Sequence, residues 1–239
     1  MTCNVIKVDR VCSVGEAAAL ERLGVGLIGV ALDADPRFED GRVVDVDTAR
    51  DIGASLRSAR LVAELDVREY PADALRRATA VAADFVQPIA GAVPPRSMQE
   101  ALAASGRKVV YSGIEIAHDE DPSWVLSRYN DSPDRHSAIF QVDVLPEFPD
   151  SWEFLRDKSP EFESEFQIED LNLLAAEHNL VVSLNFTPQN LAEIIGALPG
   201  ILGIGLTLAE AATRQDLHFI RYEAALDVLR SFRKLQFGL

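Results

Sequence analysis

Eight short apolar runs, fairly evenly spaced and separated by helical patterns, predict an α/β protein built as a single (β/α)8 barrel, the TIM-barrel architecture. The 239 residues give about 30 per strand-and-helix unit, the size of a βα repeat. Most runs are continuous rather than alternating, which suits parallel strands buried on both faces. An open doubly wound sheet would use fewer strands and announce a glycine-rich first turn. The first turn here is Asp9-Arg10-Val11-Cys12, with no glycine. The whole chain, 1–239, therefore reads as one barrel domain.

The strand-like runs are Val5–Val8, Leu27–Leu32, Leu61–Leu65, Phe85–Ile89, Lys108–Tyr111, Ala138–Val144, Leu180–Phe186 and Ile201–Leu206. Each is too short for a typical helix, and most are β-branched or aliphatic. Ser13-Val14-Gly15-Glu16 reads as a capping box ahead of a helix through Ala17–Leu23. Asp47 is the expected N-cap of a helix over Thr48–Leu56. Helical spacing also covers Pro71–Val81, Ser97–Ala104 and Thr187–Leu198, the last with Pro188 in its first turn. One region breaks the rhythm. Between about 145 and 167 the chain is acidic and aromatic, with Glu147, Phe148, Asp150, Trp152, Phe154, Glu161, Phe162 and Phe166. In a barrel it forms an enlarged loop after the sixth strand, on the face where active sites sit: either a solvated excursion or a binding lid.

Composition narrows the function classes. Lys+Arg number 23 against 38 Asp+Glu, a net charge of −15, and the sequence pI is near 4.6. Such a surface disfavours nucleic acid and anionic membrane as partners. No window approaches the roughly 18 consecutive apolar residues of a membrane span. The opening residues Met1–Lys7 lack the apolar core of a signal peptide. Two cysteines, Cys3 and Cys12, are too few for a disulfide framework. The expectation is a soluble, cytoplasmic protein acting on a small molecule.

Read in order, the strand ends resemble one family, phosphoribosylanthranilate isomerase of tryptophan biosynthesis. Ile6–Ala17 is similar to that family's opening Lys-Ile-Cys-Gly strand and first helix. Gly24–Leu32 is similar to its Gly-Ala-Asp-x-x-Gly-Phe strand 2, and Pro36-Arg37-Phe38 to the Ser-Pro-Arg-Tyr that follows. Phe85-Val86-Gln87 matches part of Val-Gln-Leu-His-Gly, Phe140–Asp143 resembles Leu-Leu-Asp, and Val182–Leu191 looks like Leu-Ser-Gly-Gly-Leu-Asn-Pro-Glu-Asn-Val. The family's reaction, an Amadori rearrangement, needs a base at a C–H and an acid at a ring oxygen. The resemblance places the base at Asp9, where the family has Cys. The sister isomerase of histidine biosynthesis, similar in fold and reaction, uses aspartate there. It places the acid at Asp143 and the carboxylate-binding arginine at Arg37.

The departures bear on the substrate. The family cradles phosphate on glycine-rich ends of strands 7 and 8. Here Leu184-Asn185 replaces the Gly-Gly, and Ile204–Glu210 retains only Gly205 and Thr207 near the usual positions. An acidic-aromatic loop replaces the Gly-Gly-Thr-Gly after strand 6. These changes imply a substrate without phosphate.

Glu64, Gln87, Glu115 and Asn185 fall near expected strand C-termini and are candidate substrate-binding residues. Carboxylates with His118 could hold a metal, but no tight ligand spacing supports one. Cys12 reads as a structural thiol. Lys7, two residues before Asp9, lies a layer deeper than a Schiff-base lysine would. His136, His178 and His218 read as surface or packing residues. With no P-loop, nucleotide fingerprint or zinc cluster, no cofactor or metal is expected. Two functions follow: an acid–base isomerase, or related lyase or cyclase, on a small carboxylate-bearing molecule; or a non-catalytic barrel kept for ligand binding or assembly. A homodimer is the assembly common to such barrels.

Overall fold

A computed structural model of the protein describes residues 5–39, 41–213 and 218–237. Cys3 and the opening Met1–Asn4 lie outside the described residues. Eight parallel strands close in sequence order into a barrel, β1 pairing with both β2 and β8. They are β1 (Val5–Asp9), β2 (Leu27–Ala31), β3 (Arg60–Leu65), β4 (Phe85–Pro88), β5 (Lys108–Ile116), β6 (Ile139–Val144), β7 (Asn179–Ser183) and β8 (Gly203–Thr207). The helices are α1 (Val14–Arg22), α2 (Val46–Ser55), α3 (Pro71–Ala80), α4 (Arg96–Ala104), α5 (Pro122–Val125), α6 (Ser151–Asp157), α7 (Ile168–Glu177), α8 (Leu191–Ala197) and α9 (Tyr222–Phe237).

Local chemistry sets the helix ends. Ser13 caps α1 by accepting the Glu16 N–H at 3.2 Å, while the Glu16 carboxylate accepts from the Cys12 N–H at 3.0 Å. At the other end Gly24 takes φ +94°, and Gly24 and Val25 donate to the carbonyls of Glu21 and Leu20, closing a Schellman turn. The N-cap of α2 is Asp45, not Asp47. Asp45 accepts from the Thr48 N–H at 2.7 Å, whereas Asp47 lies one turn inside and pairs with Arg50 on the surface. Helix α8 is also shorter than its pattern. Thr187 and Asn190 exchange hydrogen bonds of 2.8 and 3.1 Å, and this side-chain turn competes with helix, leaving Pro188 ahead of the cap rather than in the first turn.

The barrel interior changes character within one strand step. At its N-terminal end Val5, Leu27, Val62, Phe85, Val110, Ile139 and Val181 pack together. Two residues further along their strands, on the same inward face, stand Lys7, Gly29, Glu64, Gln87, Ser112, Gln141 and Ser183. All of the polar ones are buried. An apolar plug thus carries a polar floor.

The stretch 145–167 is more ordered than an expected loop. It carries α6 and a 3-10 turn at Ser159–Glu161, and it buries Trp152, Leu155 and Phe166. Phe148 and Phe154 stack with centroids 3.8 Å apart, while Phe162 is exposed. Strand β5 runs past Tyr111 because of a bulge. Its register with β6 shifts between Tyr111 and Ile114, with Gly113 at φ +70°.

Candidate active site at the barrel mouth

Asp9 is the last residue of β1 and is almost fully buried. It is ion-paired to Lys7 and accepts from Gln141 Nε2 at 3.0 Å, while Lys7 Nζ donates to Gln141 Oε1 at 2.7 Å. A buried carboxylate needs such partners, since uncompensated burial of charge is costly. Lys7 is thus occupied one layer below the mouth. Glu64, from β3, accepts the Arg10 N–H at 2.9 Å. Burial, reinforced by the charge of Asp9, pushes the Glu64 carboxyl up to about 8. Glu64 therefore keeps its proton at neutral pH beside the ion-paired Asp9.

Asp9, Glu64, Gln87, Gln141, Asp143 and Ser183 line one cavity of about 30 Å³, with Arg10, Arg37, Phe38 and His218 at its rim. That is room for about one water. Arg10 closes it. Its backbone sits at φ +64°, its Nε donates to the Leu208 carbonyl at 3.1 Å, and its guanidinium lies 4.3 Å above the Phe38 ring. Positive φ also marks Ala90 and Leu145, just past β4 and β6, and such strain clusters at functional faces.

Arg37 is gripped by Asp35, with Nε 3.1 Å from both carboxylate oxygens and Nη2 2.7 Å from Oδ2. Burial pulls the guanidinium down, but Asp35, aided by Asp143 and Glu115, outweighs it and holds Arg37 above its usual range. Glu115 faces Asp143 across the β5–β6 register. The bulge makes this possible. Strict alternation from Ser112 would turn residue 115 outward, and the extra residue turns it back.

Asp143 meets a partner that the sequence did not suggest. His218, from the segment after β8, contacts Asp143 Oδ1 through Nδ1 and donates its backbone N–H to Oδ2 at 3.3 Å. Read from the sequence as surface or packing, it is a mouth residue. The usable signal is topological, because every loop following a barrel strand returns to the C-terminal face. His118 turns away, its Nδ1 3.0 Å from Glu147 and its ring edge-on to Phe148. Cys12 lies beside Glu16, with Sγ 3.4 Å from the carboxylate.

Asn185 falls on a second cavity. Its Oδ1 accepts from Ser151 Oγ and the Trp152 N–H, each at 2.9 Å, and its Nδ2 donates to Glu153 at 3.1 Å. The amide is a clasp between the end of β7 and α6. This cavity, about 410 Å³, lies between the ends of β6, β7 and β8. Its walls include Phe148, Leu184, Asn185, Phe186, Thr207, His218 and Phe219. Among the described residues its lining holds no lysine or arginine. Leu184 and Asn185 thus border a chamber of mixed polar and apolar lining, to which Asp150, Thr187 and Thr207 also contribute.

No family model matches the chain. No curated protein matches it. Solved structures do. The phosphoribosylanthranilate isomerase of Thermotoga maritima is 16% identical over 98% of this chain and 99% of its own, with a TM-score of 0.64. The N-(5'-phosphoribosyl)anthranilate isomerase of Pyrococcus furiosus is 13% identical over 95% and 97%, with a TM-score of 0.63. A phospho-2-dehydro-3-deoxyheptonate aldolase from Thermotoga maritima also matches, at 13% identity over 98% of this chain and 69% of that one, with a TM-score of 0.61. Many of the structural neighbours are thus phosphoribosylanthranilate isomerases, and at these identities what the chain shares with them is the complete (β/α)8 barrel fold.

Proposed function

We propose that the chain is a diverged relative of the phosphoribosylanthranilate isomerases, performing acid–base proton transfer on a small, carboxylate-bearing, non-phosphorylated molecule. An isomerisation, or a lyase or cyclase step of the same kind, is the reaction class. The carrying observation is the convergence of Asp9, Glu64 and Asp143 on one cavity at the C-terminal mouth, with Glu64 raised to about 8 beside Asp9. A carboxyl that keeps its proton beside an ion-paired one is the kind of arrangement acid and base roles use. Asp9 and Asp143 are the base and acid in this reading, and Arg37 anchors the substrate carboxylate, with Glu64, Gln87 and Glu115 around the bound molecule. Asp150 in the wall of the 410 Å³ cavity, with no lysine or arginine among its described lining residues, supports the absence of phosphate.

The small volume under Arg10 is the one observation that favours a non-catalytic barrel. The larger chamber, reached past Thr207 and His218, which border both cavities, answers it. No described helix is long and apolar enough to cross a membrane. A cytoplasmic location and a homodimer belong to the same proposal. One neighbour is described as a dimeric isomerase, and sedimentation tests the dimer.

The test is a panel of small amino-sugar, keto and hydroxy acids incubated with the protein in deuterated water. Loss of a carbon-bound proton signal identifies a substrate. Asp9→Asn and Asp143→Asn should each slow that exchange about 10²-fold, and Arg37→Ala should mainly raise KM. Growth of a tryptophan auxotroph lacking the isomerase, rescued by this gene, would overturn the non-phosphorylated assignment.

A further inference from the structure

We infer that Asp143 and His218 form an acid–base pair whose imidazole Nε2 removes a proton from a molecule that lodges a flat, polar-substituted ring in the 410 Å³ cavity. The inference rests on the proton-transfer reading above and changes its assignment of roles: His218 takes the proton and Asp143 orients it, in place of Asp9 as base and Asp143 as acid.

Three observations converge. The Asp143 carboxylate holds both the ring, through Nδ1, and the backbone N–H of His218, so the imidazole has one orientation. With Nδ1 turned to the carboxylate, Nε2 is the ring nitrogen left to take a proton. Among the described residues, that Nε2 is buried and has no hydrogen-bond partner, and a buried polar atom without a partner calls for a functional or structural reason. Finally, His218 belongs to the walls of both cavities, so the pair borders the charged floor and the larger chamber alike.

The chamber indicates what binds. Its volume suits a small molecule. Phe148, Phe186 and Phe219 offer ring faces and edges, Leu184 and Leu206 add aliphatic wall, and the Asn185 amide is spent on α6. A flat ring that carries polar substituents matches this lining, with Phe148, Phe186 and Phe219 for the ring and Asp150, Thr187 and Thr207 for the substituents. The proton passes to Nε2, the electron pair of the C–H bond shifts into the substrate, and Asp143 stabilises the imidazolium formed.

A probe reaction tests this without the natural substrate. In 5-nitrobenzisoxazole a base removes the ring C–H proton, the C–H electron pair becomes the third bond of a nitrile, and the N–O bond breaks. Its electron pair leaves on oxygen as a coloured nitrophenolate, and the proton returns from Nε2 to solvent. The intact protein should turn over this probe about 10²-fold faster than folded His218→Ala. Asp143→Asn should also slow it, and added imidazole should restore rate to His218→Ala, which a merely structural histidine would not allow. Equal rates for the intact protein and His218→Ala, or no rescue by imidazole, overturn the pair. The two readings separate cleanly. Deuterium exchange that ignores His218→Ala removes the pair and leaves the enzyme reading. Rescuable probe turnover with no exchange substrate leaves the pair and removes the enzyme reading.

Discussion

Asp9 and Glu64 bring carboxylate oxygens to a common point above Gly29, where any Cβ would overlap Asp9 Oδ1 and Glu64 Oε1. The approach is tolerated because Lys7 pairs with Asp9 from below and the Arg10 N–H reaches Glu64 from the side. Glu64 adjusts in turn by keeping its proton.

That proton makes stability depend on pH with a definite sign. The Glu64 carboxyl titrates near 8 in the folded protein, against an ordinary value of 4.5. Between those limits the folded state holds a proton that the unfolded chain has released. The associated stability is therefore whole below about 4.5 and is lost as pH rises toward 8. Glu64→Gln, which keeps an acceptor for Arg10, should flatten this decline. Urea midpoints measured across that range decide the matter, and an unchanged slope would remove Glu64 as its source.

Gly29→Ala should destabilise the barrel by about 1–3 kcal/mol, since the methyl has nowhere to go but into two carboxylates and the Asp9 backbone. Thermal unfolding gives the readout. Glu64→Gln in the same background should relieve little, because the Asp9 contact remains.

Lys7→Met tests the buried ion pair. Removing one partner strands the Asp9 charge, at a cost of about 3–5 kcal/mol. Adding Asp9→Asn to Lys7→Met should cost less than the two single effects combined, because the groups share one interaction. Strict additivity in urea unfolding would show the contact to be energetically idle.

Asn185→Ala should unfasten the segment between β6 and α7. It deprives Ser151, Trp152 and Glu153 of their clasp, a loss of about 1–3 kcal/mol for the buried groups left unpaired. Cleavage within 145–167 by limited proteolysis should accelerate while the rest of the chain resists.

The sequence by itself determined the architecture. Eight continuous apolar runs at regular spacing are the direct consequence of parallel strands buried on both faces, and that requirement acts on each strand separately. Asp9 and Asp143 were candidates through the resemblance, and Glu64 and Gln87 through their position near strand C-termini; which face each side chain takes is not legible in runs that are apolar on both faces. Other features depended on partners remote in sequence. Glu115 faces the mouth because a bulge at Gly113 inserts one residue against β6. Asn185 is occupied because α6 happens to present Ser151 and Trp152 to it. Asp45 rather than Asp47 caps α2, a choice between identical side chains made by backbone conformation. His218 joins Asp143 across 75 residues, and Glu64 keeps its proton because closing the barrel buries it against Asp9. Strand periodicity is a local property of the chain, whereas a shared carboxylate, a shifted proton or a filled mouth exists only once the barrel has closed.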